Sequence, residues 1–230
     1  MALNIVEKVD EAVAVRHVLL SVSDKRGLDA FVPELLKTCP GIKLYSTGGT
    51  YSALQKILGK QAEGCLVSVA DYTGQPEMQG GLVKTLDFKI YLGLLSETYN
   101  QAHQEDLQRT GAVALDMVVV NLYPFRQTVA REGVSVEEAR TNIDIGGPCM
   151  VRASAKNFLR VASVTDPDDY AGIAAELQKN SGRIGLALRF ALARKAFKHT
   201  AEYDAAISAF LEKRDESEPA EIYELANRLQ

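Results

Sequence analysis

Five short stretches place polar or charged side chains beside turns that could hold an anion. In DIGGPCMVRASAKN (144–157), Asp144 precedes the turn Gly146-Gly147-Pro148, and Lys156 closes a run of helical spacing. Backbone N–H groups at the start of that helix, after Ile145, could hold a negative oxygen of a ligand. Asp144 and Lys156 stand a little over three turns apart, at about 3.6 residues per turn, so they are no i,i+4 surface pair. The plainer readings are a helix cap for Asp144 and a solvated lysine for Lys156.

SVSDKRG (21–27) puts Ser21, Ser23 and Lys25 between an apolar run and a helical pattern. STGGT (46–50) repeats the arrangement, with Ser46, Thr47 and Thr50 as hydroxyls and Gly48 and Gly49 allowing close backbone approach. GGLVKTL (80–86) carries Lys84 and Thr85 after a glycine pair, and VVVNLYPF (118–125) ends on Asn121 and Tyr123 before a proline. One such loop is a weak signal. Several at strand ends in one sheet point to a phosphate or phosphosugar, because ligands of open α/β sheets bind beyond the carboxyl ends of the strands.

The elements that must position these loops follow from hydrophobic patterning. HVLLSVSD (17–24) predicts a buried strand running into a Ser/Asp helix cap, IKLYST (42–47) and CLVSVA (65–70) the next strands, DMVVVNL (116–122) a central strand and VASVT (161–165) a fifth. Helical spacing over 27–38 and 48–59 makes the sheet doubly wound and mainly parallel. The stretch 71–95 reads as an irregular, Gly-rich functional loop, and from 167 the chain turns mostly helical. Residues 1–14 read as a leader, 15–212 as the α/β domain with its C-terminal helices, and 213–230 as a charged tail or helix.

Bulk composition excludes several classes. A net charge of −4 argues against broad nucleic-acid binding. Cys39, Cys65 and Cys149 form no CxxC pair, and His17, His103 and His199 lack metal-ligand spacing, so neither a disulfide framework nor a metal is expected. Acids interrupt the apolar pattern of the first 20 residues, and no apolar run reaches about 18 residues, so neither a signal peptide nor a membrane span is expected. A cytoplasmic location is the expectation.

Taken in order, SVSDKRG, STGGT, YTGQPEMQGGLVKTL, NLYPF, DIGGPCMVRASAKN and AFKHTAEYDAAI resemble IMP cyclohydrolase, the N-terminal domain of the bifunctional AICAR transformylase/IMP cyclohydrolase family. The resemblance covers residues 15–212 and implies a methylglyoxal-synthase-like fold. It implies closure of 5-formamidoimidazole-4-carboxamide ribotide to IMP, the last step of de novo purine synthesis, without a cofactor. It places Lys84, Tyr123, Asp144 and Lys156 in the catalytic set. Ser21, Ser23, Lys25, Ser46, Thr47, Gly48, Gly49, Thr50, Thr85, Asn121, Ile145, Gly146 and Gly147 fall on substrate-binding positions. It also implies a homodimer, to which the broad apolar pattern of 184–211 adds weight, and a separate AICAR transformylase as partner. These 230 residues lack a transformylase domain; either a standalone cyclohydrolase or the first domain of a longer chain fits, and the charged tail favours the former.

The chain departs from the family pattern in GLVKTLDFKIY (81–91). A ligand-contacting arginine is Leu82, a His-Pro pair is Asp87-Phe88, and histidines become Tyr91 and Phe158. Lys25, Lys89 or Arg152 could replace the lost charge, though no lysine reproduces a guanidinium fork. The alternative is a noncatalytic phosphoribosyl-ligand-binding or regulatory domain on the same fold.

Overall fold

The computed structural model describes residues 5–75 and 84–226. Leu82 therefore lies outside the described residues. Strands β1 (Ala12–Ala14), β2 (His17–Val22), β3 (Lys43–Ser46), β4 (Leu66–Ser68), β5 (Met117–Asn121), β6 (Ala162–Val164) and β7 (Arg183–Gly185) alternate with helices. The first helices are α1 (Leu28–Thr38), α2 (Gly48–Leu58), α3 (Ala62–Cys65), α4 (Val69–Thr73), α5 (Phe88–Leu95) and α6 (Gln101–Thr110). After β5 come α7 (Phe125–Val129), α8 (Val136–Thr141) and α9 (Gly146–Lys156), and later α10 (Tyr170–Lys179), α11 (Leu186–Leu211) and α12 (Glu218–Ile222).

Five strands form one parallel sheet in the order β4-β3-β2-β5-β6. β5, MVVVN, is buried along its first four residues, as a parallel strand covered on both faces requires. Alternate residues of β2 and β5 feed two cores. Val18, Leu20, Met117 and Val119 face the side with Phe31, Leu35 and Ile173. Leu19, Val118 and Val120 face the side with Ile90, Met150, Ala193 and Tyr203. The expected doubly wound parallel sheet of about five strands, with helices at its C-terminal end, is thus the observed architecture.

At the amino edge of the sheet a buried ion pair ties the layers. Arg160 donates to Asp116 Oδ1 at 2.9 Å and to the carbonyls of Gly93 and Leu115, while Asp116 Oδ2 accepts the N–H groups of Arg16 and His17. Each charge is thus both paired and hydrogen-bonded, as burial demands.

Three expectations change. The helix cap read into Ser23-Asp24 is absent: α1 begins after Gly27, whose φ of 72° suits glycine, and Asp24 instead accepts from Arg26. The stretch 71–95 is not irregular throughout, since α5 occupies its last third behind an Asp87 cap that accepts the N–H of Lys89. A second, two-stranded sheet pairs β1 with β7 antiparallel, which draws residues 12–14 against the domain.

Candidate active site

The polar loops converge at the carboxyl edge of the parallel sheet. β2, β3 and β5 run side by side in register, so Ser21 and Ser23, Ser46 and Thr47, and Asn121 come out at one end. Not every hydroxyl is offered to a ligand. Ser46 is fully buried and donates to the Leu20 carbonyl at 2.8 Å. Thr50 Oγ1 accepts the Val22 N–H and donates back to the Val22 carbonyl, pinning the start of α2 to the end of β2. Asn121 brackets Asp24 with two bonds of 2.8 Å to its backbone, fixing the Ser23 loop against β5. What remains exposed is the backbone of Gly48 and Gly49 at the first turn of α2, with Lys25 exposed across the loop. N–H groups at a helix start next to an ammonium suit a phosphate.

Lys84 and Thr85 join this loop to the Asp144 turn. A Cβ on Gly48, whose φ is +51°, would lie 3.4 Å from Lys84 Nζ, so the ammonium sits over the turn that opens α2. On the other side, Thr85 Oγ1 packs against Gly146 at the start of α9. The two glycine turns, nearly a hundred residues apart in sequence, thus share the Lys84-Thr85 turn.

Asp144 is held from several directions. Its Oδ1 accepts the Gly147 N–H at 2.9 Å, so the carboxylate caps the first turn of α9, and a backbone bond from Tyr123 adds to this. Burial raises the Asp144 carboxyl above the ordinary aspartate range, against the lowering by these two N–H bonds. A half-buried carboxylate that is reluctant to ionise yet anchored in place is suited to exchanging a proton with a bound group. Tyr123 is 51% exposed at the mouth of the site.

Lys156 is set apart. α9 runs from the Asp144 turn back toward the amino edge of the sheet, and its 11 residues span roughly 16 Å at 1.5 Å per residue. Lys156 is the exposed last residue of that helix, so within one chain Lys84, Tyr123 and Asp144 gather and Lys156 does not.

A cleft of about 740 Å³ adjoins the Tyr123 side, between the ends of β5 and β6 and the long helix α11; Ser23, Asn121, Thr165, Lys195 and His199 line it. Lys195 is already paired with Asp166 and Asp169 at 2.7 and 2.9 Å. Burial lowers the His199 imidazole, which keeps it neutral. Among the described residues, no group of three or more His, Cys, Asp and Glu is gathered as metal ligands. The departures Asp87, Phe88 and Tyr91 lie on and before α5, and burial raises the Tyr91 phenol.

A residue that patterning missed is Tyr203, buried on α11, whose hydroxyl bonds the Asp144 backbone at 2.8 Å. It lies in AFKHTAEYDAAI, a stretch whose spacing signals only a helix.

An open parallel sheet with helices on both faces and glycine turns at its carboxyl edge defines an open-sheet α/β domain. The chain belongs to the MGS-like domain family, which matches residues 30–149, and residues 154–230 match the AICARFT/IMPCHase bienzyme family. It is 45% identical over 198 residues to the bifunctional purine biosynthesis protein PurH of Acidithiobacillus ferrooxidans, covering 86% of this chain and 36% of that protein. To PurH of Synechococcus sp. it is 47% identical over 203 residues, covering 88% and 37%. The chain therefore spans a little over a third of the length of these curated relatives. A solved structure described as ForH aligns with TM-score 0.70 and 31% identity over 86% of this chain and all of that one.

Proposed function

We propose that the chain is an IMP cyclohydrolase that closes 5-formamidoimidazole-4-carboxamide ribotide to IMP with loss of water. The observation that carries this reading is the convergence of Lys84-Thr85 with Gly48 and Gly146, which sets an anion-binding helix start beside the anchored carboxylate of Asp144. The ribotide phosphate binds at the Ser23–Lys25 and Thr47–Gly49 loops, and the base reaches Asp144 and Tyr123.

The reaction joins two groups of one molecule, so the domain need only hold the reactive rotamer and manage protons. The carboxamide nitrogen attacks the formyl carbon, and Asp144 takes the proton that the nitrogen loses. The carbonyl oxygen becomes a hydroxyl, receiving charge stabilisation from Lys84 and a proton through Tyr123. Loss of that hydroxyl with a proton releases water and leaves the closed pyrimidine ring. No electrons are exchanged, and a separate AICAR transformylase would supply the substrate.

The same reading includes a homodimer. Ile145, Cys149, Arg152 and Lys156 fall on one face of α9, beside exposed Phe190 and Phe197 of α11, with the Arg152 guanidinium 5.7 Å from the Phe197 ring centre. A two-fold axis through the middle of α9 sets opposite helix ends together. Its acidic end would then meet the basic end of the other copy, bringing Lys156 of the partner subunit to Asp144. Incubation with the formamido ribotide, followed by the absorbance change on ring closure, tests the activity; steady conversion to IMP is expected, and ligand binding without conversion would favour the regulatory alternative.

A further inference from the structure

Tyr203 projects from α11 into the back of the Asp144 turn. Its hydroxyl accepts the Asp144 N–H at 2.8 Å and donates to the Asn142 carbonyl at 3.1 Å, so the one O–H group spans both sides of the turn. The side chain is buried, with 7% of its surface exposed. Its ring meets the edge of Phe125 at 6.1 Å between centres, and Phe125 begins the helix directly after Tyr123-Pro124, its N–H bonded to the Tyr123 carbonyl. One residue therefore touches the mountings of both Asp144 and Tyr123. Packing alone would be served by phenylalanine in this aromatic cluster, where Phe210 also stacks edge-on against Phe125. Among the described residues, what the hydroxyl adds is the two bonds to the Asp144 turn.

We propose that Tyr203 is the positioning residue for Asp144, fixing the backbone from which the carboxylate is aimed without itself touching substrate. The inference rests on the cyclohydrolase reading for its catalytic consequence. Its structural content stands on the two hydrogen bonds. A carboxylate displaced by about an ångström loses much of its rate advantage, because proton transfer demands close alignment. Binding of the phosphate, at other loops, is left intact.

The test is Tyr203→Phe in the full chain, which keeps the ring and deletes the hydroxyl. The expected result is a kcat for ring closure lowered by roughly 10- to 100-fold with KM changed less than about twofold. A second readout does not need activity: the Asp144 carboxyl, followed by carbon NMR in aspartate-labelled protein. In wild type it titrates above the ordinary aspartate range, and in Tyr203→Phe it should move down as the turn loosens and water enters. The ionisable groups acting at this turn are Tyr203 of α11 and Tyr123 of the β5 loop, with Asp204 acting on Tyr203 from its own helix. Phe210→Leu serves as a control for general softening; it should lower thermal stability and leave both readouts in place. Unchanged kcat and unchanged Asp144 titration in Tyr203→Phe would overturn the proposal, as would Phe210→Leu reproducing both effects. If the wild-type chain closes no ring at all, the cyclohydrolase reading falls, and the Asp144 titration alone decides whether Tyr203 positions it.

Discussion

Thr85 Oγ1 lies 2.6 Å from the point a Cβ would occupy on Gly146. No side chain fits at 146 without moving Thr85, and Thr85 is buried and adjoins Lys84. Gly146 serves close approach here, and its backbone conformation is one any residue can adopt.

Gly146→Ala should therefore destabilise by about 1–3 kcal/mol, the usual range for overpacking, and lower kcat/KM by displacing Lys84. Thr85→Ala removes the clashing oxygen, so Gly146→Ala should cost less in that background. Thermal unfolding of the four proteins measures the coupling, which should exceed about 0.5 kcal/mol. Additive effects would separate the two residues.

Asp144→Asn should part stability from activity. Asparagine still accepts the Gly147 N–H and caps nearly as well as aspartate. The folded-state carboxyl of Asp144 is raised by burial, so its protonated form is favoured on folding. The stability this group contributes is present below the unfolded aspartate pKa and is lost as pH rises through the raised folded value. The variant lacks that loss. Its melting temperature should equal the wild type's in acid and exceed it at neutral pH, as scanning at several pH values would show. Wild-type kcat should fall as pH drops through the same raised value, because the base must be ionised.

Lys25→Ala should act on binding. A phosphate carries the same charge in ground and transition states, so loss of the exposed ammonium should raise KM and leave kcat nearly unchanged. A matched fall in kcat with constant KM would move Lys25 to the reacting centre.

Mixing two inactive variants tests the placement of Lys156. If Lys156 of the partner subunit completes the site, Asp144→Asn and Lys156→Ala chains should regain activity on subunit exchange, since each hybrid dimer then holds one intact site. Light scattering should show dimers at micromolar concentration. No recovery among exchanged dimers would leave Lys156 outside the chemistry.

Much of the sheet is legible in the sequence because β2 and β5 carry the unbroken apolar stretches 18–20 and 117–120, the mark of strands covered on both faces. β1 and β7 escape notice because three residues apiece carry no periodicity, and their central pair, Val13 and Ile184, is 171 positions apart. α5 was hidden by the glycines preceding it. At the site, glycine turns and nearby polar residues mark the loops, yet Asn121 and Thr50 spend their side chains on backbone groups that only the fold brings near. Sequence proximity misleads for Lys156, because α9 carries it away from Asp144. Tyr203 is 59 positions from its Asp144 partner, and no local pattern links them.

The account turns on Asp144 as the base for ring closure. Its most direct test is the turnover number of purified wild-type and Asp144→Asn chains on 5-formamidoimidazole-4-carboxamide ribotide, with folding of both verified by melting. The account predicts that wild type forms IMP and that the variant, equally folded, is slower by roughly 10²–10⁴-fold with little change in KM. An Asp144→Asn chain that closes the ring at the wild-type rate would reduce Asp144 to a helix cap and contradict the mechanism.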